Sequence, residues 1–312
     1  MKELQIGKDV SNIIKGISCL LIVAHHFCSW LDGKGIDNFF VHFIGVRGGV
    51  IGVTIFFFLS GWGLSESQKK NQYPLAVYAK RRLSKVFIPL LLTNIIYISI
   101  LLVFNKISFS VPSIVLTALN LKLCDGVLWF CNVILIFYLV FYFSFLPASN
   151  WIKVFICLSA TVLYSIAATL IYPDSPFYVY SIIGFPLGMI LSLYKDVALR
   201  IKFWGTWSLF IILFLVIGSF LLPAYNNLFL MNLASLFIVA LIVFSVVISS
   251  RVGSSRKLVV LPFIGMFSYE IYLLHNKVLF SLAQNGYLYW YPIAFLLIVL
   301  PLSILLKRIT RF

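Results

Sequence analysis

Two adjacent histidines, His25 and His26, lie deep in the first hydrophobic segment of the chain, and Lys15 stands near the start of that segment. Lys15 and His26 are eleven residues apart, which is close to three turns of an α-helix, so both side chains project from one face, roughly 16 Å apart along the axis. His25 points about 100° away from His26. An ionisable side chain in a membrane is costly unless it faces the interior of a helix bundle. The pattern therefore indicates a functional site, although histidines hydrogen-bonded within the bundle would give the same pattern.

The chemistry that such a site could perform is proton transfer, because histidine is well suited to act as a general base near neutral pH. Further polar side chains occur in two later hydrophobic segments at helical spacing. His275 and Asp125 fall at a depth similar to that of His26, so we expect the three to line one cavity. Each taken singly would serve equally well as a hydrogen bond between helices. The two same-face sets are Asp125, Trp129, Asn132 and Ser268, Tyr272, His275.

A cationic cluster, which includes Arg81, Arg82 and Lys85, precedes the third hydrophobic segment. Charged side chains of this kind hold phosphates by charge-assisted hydrogen bonds, so the cluster is a candidate clamp for a phosphate-bearing cofactor. Contact with anionic lipid and control of topology would need the same charges. Just before the cluster, the run Ser60-Gly61-Trp62-Gly63 indicates a helix interruption, although close helix packing is the preferred explanation for any single glycine. Backbone N–H groups freed there would form an anion site beside Ser60.

The elements that position these residues are predicted to be transmembrane helices. Of 312 residues, 62% are hydrophobic and 11% are charged, whereas soluble domains carry about 25% charged residues. We therefore expect an all-α, polytopic integral membrane protein, with a single domain over residues 1–312 and about ten transmembrane helices. The predicted spans are 13–31, 47–65, 86–104, 128–146, 151–171, 176–194, 203–222, 229–249, 259–281 and 287–306.

The net charge of +15 follows the membrane topology and does not indicate binding to nucleic acid. With the spans given above, 19 of the 24 basic residues fall on one side of the membrane and four on the other. The positive-inside rule then places both termini in the cytoplasm. The five cysteines lack the close paired spacing of metal sites, so we predict neither a metal nor a disulfide.

Four sequence blocks, taken in order, resemble the acyltransferase-3 family of integral membrane acyltransferases. A further block, Leu128-Trp129-Phe130, resembles the family more weakly. The resemblance extends over nearly the whole chain. The four blocks are Lys15-Gly16-Ile17 through His26-Phe27, Gly52-Val53-Thr54-Ile55-Phe56-Phe57-Phe58-Leu59-Ser60-Gly61, Arg81-Arg82-Leu83 before Pro89, and Ser268-Tyr269-Glu270-Ile271-Tyr272-Leu273-Leu274-His275.

The resemblance implies transfer of an acyl group, often acetyl, from a cytoplasmic coenzyme A thioester to a hydroxyl of a surface glycan. By position, His26 matches the family's essential histidine, and Lys15 matches its basic partner, which is more often arginine. Arg81 and Arg82 match the family's basic motif. The lysine at position 15 departs from the pattern, because an ammonium group cannot reproduce the two parallel hydrogen bonds of a guanidinium.

The residues and the resemblance together predict an O-acyltransferase, and specifically an O-acetyltransferase, of the bacterial cytoplasmic membrane. We expect acetyl-CoA or another acyl-CoA as donor and no metal. The expected acceptor is a surface polysaccharide or its lipid-linked precursor, and polysaccharide-assembly proteins are expected as further partners. The predicted site residues are His26 as general base, Lys15, His275 and Asp125 in support of it, and Arg81, Arg82, Lys85 and Ser60 around the donor.

Two other classes of function fit parts of the same pattern. A polysaccharide exporter or flippase would also need a basic face and polar residues near the middle of the membrane, and it would acylate nothing. A membrane scaffold in a polysaccharide-assembly complex would need no ionisable side chains inside its spans. The intramembrane His26 and His275 therefore disfavour the scaffold.

Overall fold

A computed structural model describes residues 6–36, 38–104, 110–195, 236 and 259–310. All regular secondary structure in these ranges is helical, so the predicted all-α fold is confirmed for this part of the chain. A side chain caps the start of the short helix Phe39–Phe43. Asn38 accepts hydrogen bonds from the backbone N–H groups of Phe40 (3.1 Å) and Val41 (3.0 Å), and both groups would otherwise lack partners at the start of a helix.

The amino-terminal part of the molecule is built mainly from long apolar helices. Helix α1 spans Lys8–Asp32. The short α2, Phe39–Phe43, continues through a π-helical turn, Ile44–Gly48, into α3, Gly49–Lys70. The next helices are α4 (Leu75–Val103), α5 (Val111–Ala118), α6 (Trp129–Ser144), α7 (Asn150–Ile171), α8 (Phe177–Tyr180) and α9 (Gly184–Leu193).

Two pairs of helices make up the carboxyl-terminal part of the described chain. Helix α10 (Val260–Met266) is followed after one residue by α11 (Ser268–Gln284). Helix α12 (Tyr291–Ala294) continues through a second π-helical turn, Phe295–Val299, into α13 (Leu300–Ile309). The first pair occupies the place of the predicted ninth span, and the second occupies that of the tenth.

Six helical segments among the described residues are long and apolar enough to cross a membrane. They coincide with the first five predicted spans and with the tenth. The predicted span 176–194 is divided between α8 and α9, and 259–281 is divided between α10 and α11. The predicted spans 203–222 and 229–249 lie outside the described ranges. The total of ten spans therefore stays a prediction.

Contacts between helix ends show which helices run antiparallel. At one end of the bundle, here called the basic end, the start of α4 meets the end of α3 through Arg82 and Ser67. The start of α11 also lies at the basic end, where it meets the end of α13 through Glu270 and Lys307. Lys15, near the start of α1, interacts electrostatically with both Glu270 and Lys307. The opposite end, where α1 and α11 finish, is here called the histidine end.

Two helices, α3 and α9, approach each other closely because glycines face backbone on both sides of their crossing. A Cβ atom on Gly61 of α3 would collide with the carbonyl oxygen of Phe185 on α9. A Cβ atom on Gly188 of α9 would collide with the carbonyl oxygen of Phe58 on α3. The close contact fixes α3 against α9 through backbone packing, in the manner of small-residue helix interfaces in membranes.

The predicted helix interruption at Ser60-Gly61-Trp62-Gly63 is wrong. Helix α3 is continuous from Gly49 to Lys70, so the backbone N–H groups in this run are used inside the helix and form no anion site. The glycine at position 61 provides the close approach to α9. The irregular turn lies earlier, at Ile44–Gly48, where the helix widens into a π-helical turn.

Candidate active site

Two histidines from distant parts of the sequence meet between α1 and α11. The ring centroids of His26 and His275 lie 5.3 Å apart, with the ring planes tilted by 36°. His275 is completely buried, whereas His26 is partly exposed. Nδ1 of His275 lies 2.9 Å from the carbonyl oxygen of Tyr272 and 3.2 Å from that of Ile271. The predicted convergence of these two histidines is therefore present in the structure.

His25 faces a different helix from His26, as the helical spacing predicts. Its Nδ1 lies 3.2 Å from the carbonyl oxygen of Ile44 in the π-helical turn. Its ring packs directly on Gly49, where a Cβ atom would lie only 2.8 Å from Nε2 of His25. The ring centroids of His25 and His26 are 4.7 Å apart. His25 thus joins α1 to the start of α3, and His26 joins α1 to α11.

Asp125 reaches α11 from the loop that precedes α6. Its Oδ2 lies 3.2 Å from Nζ of Lys277, and its Oδ1 accepts a hydrogen bond of 2.7 Å from the Asn276 side-chain amide. The side chains of Asp125 and Lys277 are only 5% and 7% exposed, so the ion pair is buried. Both partners follow His275 directly in sequence. The structure therefore places Asp125 against α11 close to His275, on which its charge acts, and the ion pair holds α11 in place.

Three asparagines hold the loop that carries Asp125. The Asn120 side-chain amide donates to the Asn132 side-chain oxygen at 2.9 Å, and the Asn132 amide donates back to the Asn120 carbonyl at 2.9 Å. The Asn94 amide donates to the Asn120 side-chain oxygen at 3.3 Å. Asn120 has a φ of 60°, a left-handed conformation that asparagine tolerates better than most residues. This network ties the loop to both α4 and α6.

Asn132 and Trp129 do not extend the Asp125 site as the predicted helical face suggested. Helix α6 begins only at Trp129, and Asp125 caps the short 3₁₀ turn Gly126–Leu128 before it. The helical spacing therefore does not hold across this turn. Lys277 and Asn276 are the partners that sequence reasoning missed. A lysine inside an apolar segment, which demands a buried counter-charge, was the signal that could have found the pair.

Lys15 lies toward the basic end of the bundle, three helical turns from His26. Its charged neighbours are Lys307 and Glu270, and those two residues form an ion pair with an N–O distance of 3.3 Å. Since Glu270 and His275 are both on α11, Lys15 and His26 face the same helix, as their spacing predicts. The structure does not bring the Lys15 ammonium group to the histidine pair.

The four residues predicted to hold the donor fall into two groups. Nη2 of Arg82 donates to the Ser67 hydroxyl at 2.6 Å, and the Arg82 charge also acts on the hydroxyl of Tyr138, which is hydrogen-bonded to Ser60. Arg82 and Ser60 therefore lie around one tyrosine between α3, α4 and α6. Arg81 and Lys85 are exposed, and the Arg81 guanidinium lies 4.6 Å above the ring of Tyr73.

The fold and the buried polar residues define a class of protein, an integral membrane protein whose ionisable side chains meet inside a helix bundle. The acyltransferase-3 family model, described as an acyltransferase domain, matches residues 10–308. This match covers nearly the whole chain, and the protein belongs to that family. It is therefore an acyltransferase that transfers groups other than aminoacyl groups. No curated protein and no solved structure gives a significant match to the chain.

Proposed function

We propose that this acyltransferase moves an acyl group, most simply acetyl, from a coenzyme A thioester to a hydroxyl of a surface polysaccharide or its lipid-linked precursor. The observation that carries the proposal is the separation of two polar sites along one bundle. A histidine pair suited to proton transfer lies toward one end, and an arginine hydrogen-bonded to a serine lies toward the other. A two-substrate transfer needs such a division between the reacting hydroxyl and the donor's anchoring phosphates.

Helix α3 extends from one site to the other, so its length gives the distance between them. His25 packs on Gly49 at one end of α3, and Arg82 bonds Ser67 near the other. Eighteen residues separate Gly49 from Ser67, which corresponds to about 27 Å of helix. A donor anchored at Arg82 must therefore carry its reactive group on a long, narrow arm. Coenzyme A thioesters have this shape, because the acyl group sits at the end of an extended chain remote from the phosphates.

The proposed mechanism assigns a task to each predicted residue. His26 takes the proton of the acceptor hydroxyl as the oxygen attacks the thioester carbonyl carbon. The carbon–sulfur bond then breaks, and the sulfur leaves as a thiol after taking up the proton. His275 and Asp125 are proposed to support this step from the histidine end, and Lys15 is proposed to support it from the basic end, beside Glu270. The side chains proposed to hold the donor are Arg82, Arg81, Lys85 and Ser60.

The basic end is proposed to face the cytoplasm, where coenzyme A thioesters are available. The support is the bias of basic residues, with 19 of 24 on one side of the ten-span arrangement. Both termini would then be cytoplasmic, in the cytoplasmic membrane of a bacterium. The acceptor hydroxyl would approach His26 from the histidine end, where the glycan or its lipid-linked precursor is held at the outer surface.

The experiment that tests the function is acyl transfer by the purified protein in lipid. Acetyl-CoA labelled in the acetyl group is supplied with membrane glycans as acceptors, and label in the glycan is measured by mass spectrometry. We expect labelled glycan with the wild-type protein and none with His26→Ala, while His25→Ala retains more activity because His25 faces α3. Glycan transport without any label would identify an exporter and refute the proposal.

A further inference from the structure

The tautomer of His275 is fixed by its surroundings. Nδ1 lies within hydrogen-bond distance of two backbone carbonyl oxygens, those of Tyr272 at 2.9 Å and Ile271 at 3.2 Å. Carbonyl oxygens only accept hydrogen bonds, so Nδ1 of the ring must carry the proton. In the neutral ring, Nε2 of His275 is then a bare lone pair that can only accept. The backbone of α11 thereby presents an acceptor of known position.

That acceptor has no partner among the described residues. Nε2 of His275 is buried and makes no hydrogen bond in the part of the chain that the structure describes. Leaving such a group unpaired is costly, and buried polar atoms in native proteins are nearly always satisfied. Among the described residues, only the Thr117 hydroxyl oxygen shares this unpaired state. The buried nitrogen of His275 therefore marks an interaction that forms at some stage of the enzyme's work.

His26 is the side chain placed to supply the missing donor. Its ring centroid is 5.3 Å from that of His275. The described residues show no hydrogen bond between the two rings, but ring nitrogens lie outward from the centroid, so rotation of the His26 ring would bring one of them within hydrogen-bond range of Nε2. Tyr272 is the other ring beside His275, with centroids 5.9 Å apart, and its hydroxyl already donates to the Val127 carbonyl oxygen. Because His275 is fully buried and His26 is partly exposed, a substrate would meet His26 first.

We infer that His275 is a positioning residue for His26: its Nε2 accepts the N–H of the His26 ring and leaves the other His26 nitrogen free as the base. This inference rests on the proposed function and deepens it. The arrangement follows the general logic of a base that is oriented by a third group. Here the orienting group is a neutral imidazole, which is itself locked by two backbone carbonyls.

The proton that the acceptor hydroxyl loses in this step is the one that the thioester sulfur gains. The hydroxyl proton moves to the free nitrogen of His26 as the carbon–oxygen bond forms. The other N–H of the resulting His26 imidazolium still donates to Nε2 of His275. The lone pair of that nitrogen stabilises the positive charge on His26, and no further ion is needed. When the carbon–sulfur bond breaks, the sulfur takes the proton from His26. Both histidines end in their starting states, and His275 never contacts the substrate.

A pair of amide substitutions tests the acceptor at His275 directly. Gln places its side-chain oxygen close to the position of Nε2, whereas Asn reaches only as far as Nδ1. We expect His275→Gln to retain most of kcat. We expect His275→Asn, and the apolar His275→Leu, to lower kcat by about 10²- to 10⁴-fold, the usual contribution of general acid–base catalysis. The KM values for donor and acceptor should not change in any of the three variants.

The possible outcomes separate this inference from the proposed function. Absence of acyl transfer by the wild-type protein would defeat the function itself. An active wild type with equal kcat in the Gln and Asn variants, or with the loss confined to KM, would overturn the positioning role alone. A measurement that needs no His275 variant is ¹⁵N NMR of the wild-type histidines in lipid, with His26→Ala used to assign the signal. We expect one neutral tautomer of His26 with a hydrogen-bonded N–H, and rapid exchange between two tautomers would contradict the inference.

Discussion

Removing the charge of Asp125 should strongly destabilise the bundle, because the Lys277 ammonium group would remain buried without a counter-charge. Asp125→Asn is the cleanest change. An asparagine oxygen can still accept the hydrogen bonds that Asn276 (2.7 Å) and the Val127 backbone N–H (3.2 Å) donate to Asp125. The substitution therefore removes the ion pair with Lys277 and little else.

The magnitude follows from the burial of the pair. Asp125 and Lys277 are 5% and 7% exposed and 3.2 Å apart, so neither charge can be solvated by water when its partner is lost. Breaking a buried pair of this kind costs about 3–5 kcal/mol of unfolding free energy, whereas removing both charges together is often nearly neutral. We expect Asp125→Asn to cost about 3–5 kcal/mol and the double variant Asp125→Asn/Lys277→Met to lie within about 1 kcal/mol of the wild type.

The assay is equilibrium unfolding in mixed detergent micelles, followed by tryptophan fluorescence, for the wild type, both single variants and the double variant. The matched control is Asp32→Asn, since Asp32 pairs with His42 at 3.8 Å and their side chains are 37% and 46% exposed. Exposed pairs contribute about 0–1 kcal/mol, so this control should change the unfolding free energy very little.

Two results would refute the reasoning about Asp125. If Asp125→Asn cost no more than the exposed control Asp32→Asn, the Asp125–Lys277 pair would be solvated and would not act as a latch on α11. If the double variant were as unstable as the sum of the single variants, the two charges would not be coupled, and Lys277 would have another counter-charge.

Two further predictions concern the donor site and the close helix crossing. Arg82→Ala should weaken coenzyme A binding by about 10- to 150-fold, the value of one charge-assisted hydrogen bond. Arg81→Ala should weaken it less, because Arg81 is exposed over Tyr73. Equal losses of affinity in a competition binding assay would contradict this prediction. Gly61→Ala should lower the melting temperature in detergent, because its Cβ would meet the Phe185 carbonyl. The control Gly63→Ala should raise the melting temperature slightly through helix propensity, because a Cβ at position 63 meets nothing within 4 Å. An unchanged melting temperature for Gly61→Ala would show that α3 and α9 can separate.

Helical periodicity was sufficient to predict the meeting of His26 and His275. Each lies in a regular helix, so its depth and face can be read from residue spacing, and a buried ionisable group must turn toward other helices. The same reasoning predicted that His25 would face another element. The structure shows it against Ile44 and Gly49.

The Asp125–Lys277 pair could not be predicted in the same way. Asp125 belongs to a loop whose path depends on a left-handed Asn120 and on amide contacts with Asn94 and Asn132. These are long-range contacts that leave no period in the sequence. Whether the run around Gly61 breaks the helix could not be decided from the sequence for a related reason. A glycine breaks a helix or admits a neighbouring helix, and only the position of α9 decides between the two.

If coenzyme A thioesters are the donors, as we propose, the unbroken α3 has a consequence for which of them the enzyme can use. One continuous helix contacts His25 at Gly49 and Arg82 at Ser67, and its middle part packs closely on α9 through the glycines. The length of a continuous helix is fixed, so the distance between the two sites cannot decrease to fit a shorter donor. With the donor site proposed at Arg82, a small thioester that lacks the pantetheine chain could not reach from Arg82 to the histidine pair. On this proposal, the length of α3 would select donors by the reach of their chain as well as by their charge.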